Sequence, residues 1–160
     1  MNLIYHWTAG IYKPNQNELL HYHYLIDNEG GLHNGIFSPE DNINCYDGQY
    51  AAHTGGGNTN SIGIAFCGMR GFVSSSDVGF YPLTKIQCEA GWKLGAELCR
   101  EYKISDIKKV QTHYGFGQRH PKTESYGKID ITWLPYGTQM KVSEYEKFIR
   151  NKVKWYMGNL

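Results

Sequence analysis

The chain has 160 residues, of which 41% are apolar and 19% charged, values that exclude both a disordered tail and a membrane protein and suit one domain, taken as residues 1–160. Its formal charge of +1 offers no concentrated basic surface, so nucleic acid is not an expected partner. The start, MNLIYHWTAG, lacks the features of a secretion signal, and no run approaches the roughly 18 to 20 apolar residues of a membrane span, so synthesis in the cytoplasm is expected.

Asn2 to Trp7 (NLIYHW) is a short apolar and aromatic run that reads as a strand, closed by Thr8-Ala9-Gly10, with His6 near its carboxyl end. Tyr22 to Asp27 (YHYLID) reads as a second strand, and Asn28-Glu29-Gly30-Gly31 supplies a turn into Leu32 and His33, making a hairpin. Residues 36 to 52 show no clear periodicity and read as loop with room for one edge strand. Ser61 to Gly68 (SIGIAFCG) is continuous, small and apolar, long enough for a strand and too short for a helix; it predicts a central strand buried on both faces. From Pro82 to Tyr102, Ile86, Ala90, Leu94 and Leu98 recur at steps of four with Trp92, Ala96 and Cys99 nearby, an amphipathic helix beginning near Pro82 or Thr84. Ile107 to Thr112 is a further strand that delivers His113 at its end. Ser143 to Met157 reads as a second helix, with a Ser143/Glu146 capping-box pattern and one face marked by Tyr145, Phe148, Ile149, Val153 and Tyr156. This order predicts a single α/β domain, a mixed central sheet flanked by helices.

The segment THYGFGQRHPKTESYGKIDITWLP, residues 112–135, reads as a loop that carries two histidines, two lysines and an aspartate among Gly, Pro, Ser and Tyr. His6, His23, His113, His120 and Asp130 all fall at strand ends or in loops, where ligands gather when the fold assembles a site. A hydrolytic zinc site needs three protein ligands and one open position. Taken singly, each residue has a plainer use: His6 and His113 as buried histidines bonded to carbonyls, Asp130 as a turn cap. The four cysteines, Cys45, Cys67, Cys88 and Cys99, form no C-x-x-C pair and are expected to be reduced. The 13 Tyr and 4 Trp suit a sugar or peptide groove and a core equally well.

Four blocks, HWTAG at 6–10, HYHYLIDNEGG at 21–31, AAHTGGGNTNSIGIAFCG at 51–68, and THYGFGQRHP with GKIDITWLP between 112 and 135, occur in the order and nearly the form of a known family. Across most of Met1 to Pro135 the chain resembles the zinc-dependent N-acetylmuramoyl-L-alanine amidases, which include phage endolysins, bacterial autolysins and peptidoglycan recognition proteins. The resemblance implies a zinc ion held by His6, His113 and Asp130, with Lys128 two positions before the aspartate as a catalytic cation. It implies that Tyr22 places its hydroxyl over the metal, and that His53, with Thr54 beside it, lines a substrate groove. Tyr24 is expected to pack in the sheet, His23 to be structural, and Asn60 and Ser61 to fix the turn before the buried strand.

Two departures bear on mechanism. Many bacterial members carry a glutamate base after S-I-G-I, where this chain has Ala65, so proton transfer would fall on Tyr22, Lys128 or the metal centre itself. The stretch 114–127 is longer than usual in the family, and His120 within it is a competing ligand for His113 or Asp130. The short interval from His6 to His23 implies a first helix cut to a turn or two. The implied activity is cleavage of the amide between N-acetylmuramic acid and L-alanine in bacterial peptidoglycan by a monomeric phage or prophage endolysin, acting on the wall after release. The alternatives are a cytoplasmic amidase recycling soluble anhydro-muropeptides, and a peptidoglycan-binding module without chemistry.

Overall fold

The computed structural model describes every residue except 138 and 139. Five strands, β1 (Asn2–Trp7), β2 (Tyr24–Ile26), β3 (Leu32–Asn34), β4 (Ser61–Phe66) and β5 (Val110–Thr112), form one sheet in the order β3-β2-β4-β1-β5. β1 runs parallel to β4 and β5, β2 runs parallel to β4, and only β3 is antiparallel, as the second arm of the hairpin. Among the described residues four α-helices accompany it: α1 (Gln16–His21), α2 (Lys85–Glu101), α3 (His113–Arg119) and α4 (Tyr145–Met157). The mixed sheet flanked by helices is the architecture that the order of elements predicts.

The two faces of the sheet do different work, and strand alternation separates them. Leu3, Tyr5 and Trp7 of β1, with Ile62, Ile64 and Phe66 of β4, join the large core that includes Trp92 and Ala96 of α2 and Ile149 and Val153 of α4. The alternate residues of β4, Ser61, Gly63 and Ala65, are small and face the other way, together with His6. That strand is therefore buried on both faces, as its composition requires, but its small side leaves room for imidazole rings.

α2 is capped by Thr84, whose hydroxyl accepts the Gln87 N–H while the Gln87 side chain accepts the Thr84 N–H. Its buried row follows the steps of four only in part: Leu98 is buried. Cys88, Gly91, Trp92, Gly95, Ala96 and Cys99 are buried, whereas Ile86 is 67% exposed, and Ala90 and Leu94 are half-buried beside Gly30 and Leu32 of the hairpin. The reason is close approach: a Cβ on Gly91 would strike the Phe66 ring, so the helix sits on the aromatics of the sheet along a row that hydrophobicity does not mark. The stretch 36–52 contains a short 3-10 helix, Pro39–Ile43, and no strand. The Ser143/Glu146 capping box does not form. A 3-10 turn, Val142–Glu144, precedes α4, and the Glu146 side chain reaches instead to β5 and α3. All four cysteines are free, and among the described residues no helix is long and apolar enough to cross a membrane.

Candidate metal centre and cleft

β1 carries His6 on the face away from α2 and α4, fully buried and in register with Ala65 of β4. β5 ends at Thr112, which is also the cap of α3: its hydroxyl accepts the Gly115 N–H at 2.9 Å, and His113 becomes the first helical residue. The region read as loop after His113 thus begins with two turns of helix. Asp130 lies in an irregular segment pinned by the Tyr114 N–H, which donates to the Asp130 carbonyl. Its carboxylate turns inward, only 7% exposed.

These three side chains converge. His6 Nδ1 lies 3.1 Å from His113 Nδ1 and 3.1 Å from Asp130 Oδ2, and His113 Nδ1 lies 3.2 Å from the same oxygen. Three atoms with lone pairs aimed at one another repel unless a cation or a proton stands among them. Tetrahedral zinc with ligands at about 2.0–2.1 Å sets its donor atoms about 3.3 Å apart, close to the triangle seen here. The donor set, two imidazoles and one carboxylate, suits zinc, and His6, His113 and Asp130 form the group that could hold a metal ion among the described residues.

Electrostatics agree with that use. Burial pushes His6 down to about 4, against a smaller upward pull from the neighbouring Asp130, so the ring is neutral at pH 7 and its contact with Asp130 is not an ion pair. Burial alone would raise Asp130, but the contacts with His113 and His6 outweigh it and hold the carboxyl below its ordinary value. Neutral imidazole and ionised carboxylate are the forms that bind metal.

Behind the triangle sits a second layer. His53 Nδ1 is 3.1 Å from His6 Nε2 and 2.7 Å from Thr54 Oγ1, while Ser125 Oγ is 3.0 Å from His113 Nε2 and donates to the Gly55 carbonyl at 2.7 Å. His53 and Thr54 are 5% and 0% exposed, so both lie beneath His6 and away from the cleft lining, which differs from the expected place in a substrate groove. The cause is Gly63, whose missing side chain opens space on β4 that the His53 ring fills. His23 is structural: its Nδ1 accepts the Gly63 N–H at 2.9 Å, and its Nε2 donates to Asn42 Oδ1 at 2.8 Å. Tyr24 is half-buried against the main core, and Asn60, at φ 56°, receives the Asn2 N–H as the chain turns into β4.

In front of the triangle is a cleft of about 370 Å³ lined by Trp7, Thr8, Ala9, Tyr22, His113 and the run Gly127–Asp130. Tyr22 ends α1, the six-residue remnant that the short interval implies, and its ring centre is 5.2 Å from that of His6. Its hydroxyl has no partner among the described residues, and burial, reinforced by Asp130, raises its pKa, so it is protonated at neutral pH. Lys128 is exposed, and its ammonium likewise makes no hydrogen bond or ion pair among the described residues. His120 takes no part in the triangle: it stacks on Phe116 at 4.1 Å, with Nδ1 on the Phe116 carbonyl. Ala65 packs with Leu25 and Cys67 under Leu19 and Tyr22.

Sequence reasoning missed Ser125 and Glu146. Ser125 sits in a polar turn where nothing marks one serine above another. Glu146 carried a signal, a carboxylate three residues into a helix, but it pointed to a local cap and not to Arg119 and the Thr112 N–H.

A family model described as N-acetylmuramoyl-L-alanine amidase matches residues 2–128, stopping just short of Asp130 and α4. No curated protein matches. Among solved structures the chain is similar to Drosophila peptidoglycan recognition protein SD, with TM-score 0.50 and 21% identity over 70% of this chain and 68% of that one. It is also similar to the N-acetylmuramoyl-L-alanine amidase LysC from Clostridium intestinale URNW, with TM-score 0.47 and 19% identity over 69% of this chain and 68% of that one.

Proposed function

The chain belongs to the N-acetylmuramoyl-L-alanine amidase family, and from that membership and the His6–His113–Asp130 triangle we propose that it is a zinc-dependent peptidoglycan hydrolase. The bond cut is the amide between the lactyl group of N-acetylmuramic acid and L-alanine. The observation that carries the reading is the convergence of two imidazoles and a carboxylate at the floor of an open cleft. Zinc, held by His6 Nδ1, His113 Nδ1 and Asp130 Oδ2, would supply a Lewis acid for the scissile carbonyl and lower the pKa of water to about 7.

The chain's own groups do the rest. The Lys128 ammonium, free at the mouth of the cleft, supplies positive charge where the carbonyl oxygen becomes an oxyanion. Tyr22 keeps its proton, so it acts as a hydrogen-bond donor to the carbonyl or the attacking water and not as a base. With Ala65 in the position of the family glutamate, no carboxylate besides Asp130 lines the cleft among the described residues. The proton that leaves water must then pass to the solvent or to the departing nitrogen.

Incubation with purified sacculi and with soluble muropeptides, followed by quantifying new L-alanine amino termini, tests the reaction. Lys128→Ala should lower turnover by about 10²–10³-fold, as removal of an oxyanion partner does elsewhere, while zinc content stays unchanged. Normal turnover in that variant would remove Lys128 from the mechanism. Release from soluble fragments but not from sacculi would assign the protein to recycling and not to wall lysis.

A further inference from the structure

The buried layer behind the triangle consists of two hydrogen-bond chains, one running through His53 to the Ser61 carbonyl and the other through Ser125 to the Gly55 carbonyl. A carbonyl oxygen can only accept, so each chain has a direction. The Ser61 carbonyl lies 3.4 Å from His53 Nε2, which makes that nitrogen the protonated one and leaves His53 Nδ1 as an acceptor. His6 Nε2 faces that acceptor at 3.1 Å, with Thr54 Oγ1 at 3.3 Å, so His6 donates from Nε2 and turns the Nδ1 lone pair into the triangle. On the other side the Ser125 hydroxyl spends its proton on the Gly55 carbonyl, so its oxygen accepts from His113 Nε2, and again Nδ1 carries the lone pair.

The Asp130 carboxylate pulls the other way, because it would accept an Nδ1–H from either ring. Such a ring would then set a lone pair on Nε2 against the lone pair of His53 Nδ1 or Ser125 Oγ at about 3 Å, an uncompensated buried contact. The loop itself is fixed: the Thr54 N–H donates to Asn58 Oδ1 at 2.7 Å, the Gly57 N–H to the Thr54 carbonyl at 2.8 Å, and Asn42 bonds both the Ala51 backbone and the Asn58 carbonyl. The His53 ring is further pressed between Gly63 and the His23 ring, 5.5 Å away.

We propose that the segment from His53 to Gly55 is a positioning element that sets the tautomer and orientation of both metal-binding histidines, His6 through His53 and His113 through Ser125. It rests on the reading of His6, His113 and Asp130 as metal ligands. Its role is to hold two Nδ1 lone pairs on the triangle before zinc enters, and it touches neither metal nor substrate.

The test is zinc affinity of metal-stripped protein by competition with a chelating dye, with histidine tautomers read from nitrogen-15 spectra of the zinc-free forms. His53→Leu and Ser125→Ala should bind zinc about 10–100-fold more weakly than wild type, the usual effect of losing a partner of a ligand histidine. His53→Asn, whose side-chain oxygen offers an acceptor near the lost Nδ1, should recover most of the affinity, and the tautomers of His6 or His113 should become mixed in the weakened variants. Thermal unfolding identifies any variant that has lost its fold; if His53→Leu has, Ser125→Ala and His53→Asn decide. Folded His53→Leu or Ser125→Ala protein that binds zinc within about threefold of wild type, with unchanged tautomers, overturns the inference. Wild-type protein that binds no zinc overturns the metal reading beneath it.

Discussion

Replacing Glu146 with alanine should loosen His113 from a helix that never touches the cleft. Glu146 Oε2 accepts the Thr112 N–H at 2.9 Å and Arg119 Nη2 at 2.9 Å, while Oε1 accepts Arg119 Nη1 at 2.7 Å and lies 3.3 Å from Arg150 Nη2. Thr112 is 1% exposed and adjoins His113, so the lost acceptor leaves a buried amide unpaired, at a cost of about 1–3 kcal/mol. The two arginines are partly solvated, so each ion pair contributes only about 0–1 kcal/mol. The total is about 3 kcal/mol, which for a chain of this size lowers Tm by about 6–12 °C. Glu146→Gln keeps an oxygen for the Thr112 N–H and should lose less than half as much. Urea unfolding of the two variants beside wild type, all metal-free, measures this directly. A loss below about 0.5 kcal/mol in Glu146→Ala would refute the reasoning, since that is the range of surface substitutions with no structural role.

Gly63→Ala should cost about 1–3 kcal/mol by overpacking, because its Cβ would meet the His53 ring, and it should weaken zinc binding as well; unchanged values in both would mean that the ring has another resting place. Stability of the metal-free protein should fall with acid. The folded-state pKa of His6 is about 4 and the unfolded one about 6.5, so between these values the unfolded chain binds more protons and is favoured as pH drops. Between pH 7 and pH 5 the loss from His6 is about 2 kcal/mol, and His53, which burial also lowers, adds in the same direction. Asp130 contributes only below the unfolded carboxyl range, because its folded-state pKa is depressed. A flat urea midpoint across pH 7 to 5 would contradict the buried, neutral His6.

Elements with a strong local signal were legible. β1 and β4 are continuous apolar runs with turn residues at their ends, and the structure puts them at Asn2–Trp7 and Ser61–Phe66, side by side. His6, His113 and Asp130 are 107 and 17 residues apart, so no spacing rule joins them; family resemblance named the three, and the fold brings them together. What failed to show in the sequence were relations across space. The buried face of α2 joins Trp92, Ala96, Leu98 and Cys99, which the sequence marks, to Gly91 and Gly95, which periodicity of large side chains does not select. α3 is hidden in a stretch rich in Gly, where the Thr112 cap and the Glu146 anchor supply what propensity does not. His53 was visible as chemistry but not as depth, because only the gap above Gly63 reveals that the ring lies under His6 and not in the cleft.

Metal content by elemental analysis of wild type and Asp130→Ala, with release of L-alanine amino termini from sacculi followed on the same samples, tests the central claim most directly. Zinc equimolar with the chain and steady release, both lost in the variant, is the expected result. Wild-type protein that holds no zinc and releases no alanine, yet binds sacculi tightly, would contradict the account and leave a recognition module built on the same fold.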